Sequence, residues 1–268
     1  MSISSVPEPP QPTSQRPRQE KAAHWCRSYG LLARWTLMRL RSFVPLMVIV
    51  QVILSVSIVF GFAFLNPGID ADPEGALFLS TGAPTLALIA IGLGIAPGQV
   101  AQQKAQGILD YQRALPVPRT ATLAAEATVW VGIALPGVAA GLWAATLRFD
   151  LELQIHPLLA PALVLVALTC LAVGYGIAYT VPPMVVQVVT NLLLFLALLF
   201  SPVNFPADRL PGWLATAHTF LPFAYMAQVI RESLAPPPEG ISVLPFAVLS
   251  AWCLLGLTLA HWVMNRRG

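Results

Sequence analysis

The stretch VPLMVIVQVILSVSIVFGFAFL, Val44–Leu65, decides the fold because its 22 residues include no charged side chain. A helix rises about 1.5 Å per residue and the hydrocarbon core of a bilayer is about 30 Å thick, so roughly 20 such residues can cross it. The stretch begins too late and runs too long for a cleaved signal peptide. We therefore expect it to stay in the membrane as the first span.

Windows of the same kind recur along the chain, of which 56% is apolar and only 10% charged, against about 25% charged in a typical globular protein. Breaks between the windows contain Pro and Gly, which punctuate helices. The sequence predicts an all-α polytopic membrane protein with one six-helix transmembrane domain, 44–268. Its six predicted spans are 44–65, 76–96, 123–147, 158–181, 184–200 and 244–264.

The distribution of basic residues predicts the orientation of these spans. If the N-terminus is cytoplasmic, only Arg148, Arg209 and Arg231 of the 15 Lys and Arg residues fall in external segments. Positive charge is retained on the cytoplasmic side, so we expect both termini in the cytoplasm of a bacterial inner (cytoplasmic) membrane. The basic residues flank spans instead of forming a folded face, and we expect lipid but no nucleic acid as a partner.

The region before the first span divides into two parts. Residues 1–20 are polar and predict a disordered cytoplasmic tail, whereas 21–43 predicts an amphipathic helix at the membrane interface. Arg27, Arg34 and Arg41 recur every seven residues on one side. The opposite side carries Trp25, Tyr29, Leu32, Thr36 and Leu40. The alternative is a plain basic flank that only stops transfer.

The sequence also predicts a short helix in the loop between the second and third predicted spans. Its first part extends the second span as a polar helix, Gly107 allows a break, and 108–115 can form an amphipathic helix that ends at Pro116. If the loop were simply solvated, its apolar side chains would be exposed to water. Because of this exposure, we expect the segment to bind a cytoplasmic partner.

The segment SPVNFPADRLPGWL, residues 201–214, is followed by LPFAY at 221–225 and by Arg231. It is too apolar for an exposed loop and too interrupted by proline for a straight span. Re-entrant helices that enter the outer leaflet, with their irregular backbone shielded by protein, fit best. A seventh span over 214–230 is the alternative, but it would place Arg266 and Arg267 outside.

The loop GILDYQRALPVPR, residues 107–119, and the segment 201–231 resemble ABC-2 type transporter permeases, with the daunorubicin-resistance-like drug exporter branch the most similar. The resemblance implies six spans, an interfacial helix, a coupling helix between spans two and three, and re-entrant helices between spans five and six. It also implies two copies of a separate ABC ATPase and a second permease subunit, as homodimer or heterodimer. Such a complex exports a hydrophobic or amphipathic drug, lipid or glycan, and drug efflux would confer antibiotic resistance.

The resemblance also implies roles for individual residues. ATPase coupling would involve Lys104, Gly107, Ile108, Leu109, Asp110, Tyr111, Arg113 and Leu115. A re-entrant, extracellular gate would involve Pro202, Pro206, Pro211, Trp213, Pro222, Tyr225 and Arg231. The family often has acidic and basic residues just before the glycine, whereas here only Lys104 is charged.

The chain itself lacks an ATPase motif. Residues 98–105 come nearest to a phosphate-binding loop, but Gln103 replaces its second glycine and Ala105 its magnesium-binding hydroxyl. The histidines at 156, 218 and 261 lack ligand spacing. We therefore expect no enzyme activity, catalytic residue, metal site or cofactor in this chain, with ATP and Mg²⁺ bound by the partner.

A few polar and small residues stand inside the predicted spans. Glu126 could be neutral, could snorkel to the interface or could pair with Arg119 or Lys104. Alternatively, it could drive a self-contained ion-coupled secondary transporter, the alternative function. Gln187 and Asn191 could line a substrate path or bond between helices. The pair Gly137 and Gly141, four residues apart, predicts a close helix contact in the third span.

Overall fold

The computed structural model describes residues 18–65, 68–69, 72–108, 117–150, 156–204, 206, 210–238 and 240–266, within which every regular element is helical. The predicted tail before residue 18 lies outside this part. The elements are α1 (Arg18–Leu40), α2 (Val44–Leu65), α3 (Pro73–Ile89), a π-helical segment (Ala90–Ile95), α4 (Ala96–Ala105), α5 (Arg119–Phe149), α6 (Leu159–Thr180), α7 (Pro183–Leu199), α8 (Gly212–His218), α9 (Pro222–Leu234) and α10 (Val243–Arg266).

Five helices in the described part are long and apolar enough to cross a membrane. They are α2, the continuous 33-residue helix Pro73–Ala105, α5, α6 and α10. Helix α7 is apolar but has 17 residues, and so is about 26 Å long against a hydrocarbon core of about 30 Å. The chain is therefore a multi-pass helical membrane protein, and its sixth span, predicted at α7, stays a prediction.

The second and third predicted spans are longer in the structure than in the sequence windows. Pro73–Ala105 exceeds 76–96, and Arg119–Phe149 exceeds 123–147. A hydropathy window stops at polar residues, whereas backbone hydrogen bonds continue through them. The predicted polar extension of the second span is confirmed by α4, and the break follows at Gly107, whose φ of 73° is left-handed.

The long helix Pro73–Ala105 forms the centre of the bundle. Its apolar window is 83% buried, against 28% for the windows of α2 and α10, which lie at the periphery. Helix α6 crosses it at the π-helical segment: a Cβ on Gly174 would collide with the carbonyl oxygen of Gly92. Glycine at both positions thus lets the two backbones touch.

The predicted close contact at Gly137 and Gly141 is confirmed. A Cβ on Gly137 would lie 2.9 Å from Cβ of Gln51 and 3.0 Å from its carbonyl oxygen, and one on Gly141 would collide with the Ser55 hydroxyl. Helix α5 therefore packs directly on the backbone of α2.

Helix α1 covers Arg18–Leu40, whereas the sequence predicts a helix over 21–43. Arg27 and Arg34 are exposed on one side of it, and Arg41, just beyond its end, is exposed as well. Thr36 and Leu40 are buried, and hydrogen bonds of 3.0 Å from Trp25 to Thr120 and 2.9 Å from Tyr29 to Thr128 join α1 to α5. Protein, not lipid alone, therefore covers the less basic side.

Two short helices, α8 and α9, occupy the region where re-entrant helices are predicted. The turn 219–221 separates them, so the alternative of one continuous span over 214–230 is wrong. Pro222 begins α9 because proline suits the first turn of a helix and not its interior. The depth of these helices in the membrane stays a prediction.

Candidate functional site

A groove of about 710 Å³ lies between α2, α4 and α7. Its apolar walls include Val50, Leu54, Ile95, Met184 and Leu194. Its polar lining consists of side-chain amides from Gln51, Gln99, Gln102, Gln187 and Asn191, and no described lining residue is ionisable. The groove can therefore accommodate a molecule with both apolar and hydrogen-bonding parts, and offers no counter-ion for a charged group.

Gln187 and Asn191 lie one turn apart on α7 and both are exposed. The Gln187 side chain donates a 3.0 Å hydrogen bond to the Asn191 side-chain oxygen. Amides facing hydrocarbon would be costly, which favours a surface covered by water or by another protein. The sequence left open whether these two residues line a substrate path or bond between helices. In the structure both lie along the groove, and they bond to each other within one helix.

Sequence reasoning missed Gln51, Gln99 and Gln102 as part of this groove. Gln51 is fully buried and donates a 2.8 Å hydrogen bond to the carbonyl of Ala87, while its own side-chain oxygen has no partner among the described residues. In the sequence, Gln51 could have been noticed as a single side-chain amide in a span otherwise without strongly polar groups. Gln99 and Gln102 were visible only as part of a polar helix.

Lys104 lies on the last turn of α4, and its side chain reaches the C-terminal end of α6. Its Nζ donates to the carbonyl oxygens of Val181 at 2.8 Å, Tyr179 at 3.3 Å and Ala178 at 3.4 Å. Gly107, which is exposed, and Ile108, which is half-buried, follow it. The other predicted coupling residues, Leu109, Asp110, Tyr111, Arg113 and Leu115, lie outside the described residues.

Arg231 joins three elements on the predicted outer side. From α9, its Nη2 donates to the carbonyl of Val203 at 3.0 Å and its Nε to the hydroxyl of Thr81 on α3 at 3.2 Å. Its guanidinium lies 3.5 Å from the ring centroid of Phe78. Burial lowers the pKa of Arg231 to about 10, which leaves it protonated at neutral pH. This one side chain therefore holds α9 against the central helix.

The segment after α7 is buried around Arg231. Pro202, Val203 and Asn204 are buried there, and a Cβ on Gly82 of α3 would collide with the Asn204 side-chain oxygen. Glycine at position 82 thus lets this segment approach the backbone of α3 closely.

The remaining predicted gate residues are more dispersed. Pro211 precedes α8, Pro222 is buried at the start of α9, and Tyr225 donates a 2.9 Å hydrogen bond to the carbonyl of Thr219. Pro206 is half-buried, whereas Trp213 is 73% exposed. The structure therefore centres this region on Arg231 and leaves Trp213 at the surface.

His218, at the end of α8, is a buried residue that the sequence identified only as lacking metal-ligand spacing. Its Nε2 lies 2.8 Å from the carbonyl oxygen of Phe200, and so carries the proton that is donated. Burial lowers the pKa of His218 below its ordinary value of 6.5, and the hydrogen bond to Phe200 partly opposes that shift. The imidazole is therefore neutral at pH 7 and joins α8 to the end of α7.

Glu126 on α5 is 3% exposed and lies beside Arg39 of α1. Its Oε1 is 3.6 Å from Nη2 of Arg39, whose guanidinium lies 4.9 Å from the centroid of the Trp35 ring. The sequence offered Arg119 or Lys104 as partners and missed Arg39, because nothing local in the sequence links residues so far apart. Glu126 does not line the groove.

These features define a class: a multi-pass helical membrane protein with an amphipathic groove between its helices. The family model described as ABC-2 type transporter matches residues 30–235, from within α1 to the end of α9. The chain belongs to the ABC-2 type transporter family and is the membrane component of an ABC transporter. The family normally works with an ATPase partner. No curated protein is similar enough to the chain to match it.

Proposed function

We propose that this chain is the permease subunit of an ABC exporter in a bacterial inner membrane, with both termini cytoplasmic. It works as a dimer with two copies of a separate ATPase and moves a hydrophobic or amphipathic substrate outward. The observation that carries this proposal is the groove between α2, α4 and α7, because its wall α4 leads directly to Gly107 and the coupling segment.

The chemistry of the groove favours an amphipathic substrate. Apolar walls provide hydrophobic contact, and side-chain amides can both donate and accept hydrogen bonds. Drugs, lipids and glycan conjugates combine these properties, and drug efflux of the daunorubicin-resistance-like branch, with antibiotic resistance as its consequence, is one case of this class.

The exposed side of α7 supports a second permease subunit that faces the groove. Its exposed apolar residues follow helical spacing at Met184, Val188, Leu192, Phe195 and Leu199. The amide pair Gln187 and Asn191 lies beside this stripe and would be unfavourable against lipid. A second permease, identical or related, would cover the pair and enclose the groove.

The source of energy is a partner subunit. Residues 98–105, the nearest approach to a phosphate-binding loop, lie within helix α4. This helical conformation supports the proposal that the chain neither binds nor hydrolyses ATP. ATP and Mg²⁺ are bound by the partner ATPase, and the coupling segment 107–115 docks onto it.

The position of Glu126 favours this proposal over an ion-coupled secondary transporter. An ion-coupling carboxylate must alternate between the two sides of the membrane through the substrate pathway. Glu126 instead pairs with Arg39 and lies away from the groove, where a role in attaching α1 to the spans fits better.

Reconstitution with candidate ATPases tests the proposal. The chain and an ATPase are purified together in mild detergent and placed in proteoliposomes, and ATP-dependent movement of daunorubicin and of a fluorescent phospholipid is measured. Leu109→Asp in the coupling segment should abolish transport while Arg34→Gln, on the exposed side of α1, should not. If no ATPase associates, or if transport proceeds without nucleotide on an ion gradient, the proposal is wrong.

A further inference from the structure

The turn between α6 and α7 interrupts the helical hydrogen bonding of the last carbonyl groups of α6. In a continuing helix, the carbonyl of Ala178 would accept from residue 182 and that of Tyr179 from residue 183. Both of these residues are proline and have no N–H. Val181 follows the end of the helix with an extended backbone, and the amide of Val185 donates to the carbonyl of Pro182 at 3.0 Å.

Lys104 supplies the missing donors from another helix. An ammonium group has three N–H donors and no acceptor, and here it reaches all three of these carbonyl oxygens. Its positive charge also suits the C-terminus of α6, where the helix dipole is negative. Lys104 therefore caps α6 from α4, three residues before the helix break at Gly107.

This cap ties the coupling segment to a wall of the groove. Helix α7 begins at Pro183, so no flexible linker separates it from the capped carbonyls. Helices α4 and α7 are also close at Gly98, where an added Cβ would lie 3.2 Å from the side-chain oxygen of Gln187. A displacement of the last turn of α4 is thus passed on to the N-terminus of α7.

We propose that Lys104 is a positioning residue, whose contact with the α6–α7 turn transmits movement of the coupling segment to helix α7. The inference rests on the proposed function and assigns Lys104 a role different from the ATPase docking that the family resemblance implies. ATPase docking would require the Lys104 ammonium to contact the partner ATPase, whereas in this structure it donates hydrogen bonds to carbonyl groups of its own chain.

The test uses the full complex of this chain with its ATPase in proteoliposomes. Cys26→Ser removes the exposed cysteine, since Cys170 and Cys253 are buried, and Val185→Cys places a reporter on the first turn of α7, where Val185 is 43% exposed. The rate of maleimide labelling is compared without nucleotide and with ATP plus vanadate. Lys104→Met is the test variant, Lys104→Arg retains donors, and Arg34→Met is a charge-matched control.

In the unmodified complex, nucleotide should change the labelling rate, and Lys104→Met should lose that change while ATPase association and basal hydrolysis persist. Lys104→Arg should largely restore the change, and Arg34→Met should retain it. The inference is wrong if Lys104→Met responds to nucleotide as the parent does, or if it loses the ATPase, which would indicate docking. If the parent itself shows no response, the proposed function fails. If Lys104→Met does not fold, Lys104→Gln replaces it as the test variant.

Discussion

The contact between α5 and α2 makes a prediction that two glycines of one helix can test. Gly132 and Gly137 both lie on α5, but a Cβ on Gly132 meets nothing within 4 Å, whereas one on Gly137 meets the backbone of Gln51. Replacing glycine by alanine in a helix contributes about 1 kcal/mol of helix propensity at either position. The difference between the two variants therefore isolates the cost of the contact.

The size of that cost follows from the distances. The added methyl would lie 2.9 Å from the Gln51 Cβ, whereas carbon atoms at optimal contact are about 3.5–4.0 Å apart. Helix α2 must retreat by at least about half an ångström, which forfeits packing along the crossing, and overpacking of this kind costs about 1–3 kcal/mol. We expect Gly137→Ala to be less stable than Gly132→Ala by about that amount.

The assay is an SDS titration of each purified variant followed by circular dichroism, from which the free energy of unfolding is obtained. A thiol-reactive dye gives a second measure in a Cys26→Ser background, because Cys170 and Cys253 react only when buried structure opens. Equal stability of the two variants would refute the inference that the α5 and α2 backbones touch at Gly137.

Other contacts lead to further predictions. Arg231→Met should lower the free energy of unfolding by roughly 2–4 kcal/mol, because charge-assisted hydrogen bonds are lost and a buried carbonyl is left unpaired; SDS titration should show Arg231→Lys between that variant and the parent. Glu126→Gln should leave ATP-dependent transport within about twofold of the parent, because Glu126 does not line the groove and the amide keeps the size and acceptor oxygen of the carboxylate; abolished transport would instead favour ion coupling. The lowered pKa of His218 means that the unfolded chain binds this proton more readily, so stability should be constant above about pH 6.5 and fall as the pH drops below it. In thermal unfolding between pH 7.5 and 5.5, His218→Gln should lose less stability than the parent.

The spans were the most predictable part of the fold. A run such as Val44–Leu65 has only one stable state in lipid, because each backbone polar group must be bonded within the segment. The break at Gly107 was equally local, since its left-handed backbone suits glycine. Whether helix α7 crosses the membrane was harder to predict. Its length of 17 residues is intermediate between that of a span and that of a shorter buried helix, and length alone does not decide between the two.

The candidate site was predictable only in part, because its chemistry depends on contacts between distant residues. Gln187 and Asn191 were identified as unusual polar residues in an apolar span, but their common surface with Gln51 depends on how α7 and α2 each pack against the long helix Pro73–Ala105. The pairing of Glu126 with Arg39 likewise depends on α1 lying along α5. A sequence shows that such groups need partners, and only the fold shows which partners they have.

The predicted coupling segment lies in the chain between two helices, α4 and α5, that are attached to different parts of the bundle. Before it, Lys104 attaches α4 to the α6–α7 turn. After it, α5 is attached to α1 through the hydrogen bonds of Trp25 and Tyr29 and through Glu126. A force on the segment therefore acts on two sets of helices, of which the first carries the α4 and α7 walls of the groove. Since these two ties engage different elements, we expect a push from the proposed ATPase to move α4 and α7 relative to α1 and α5 and so to change the width of the groove.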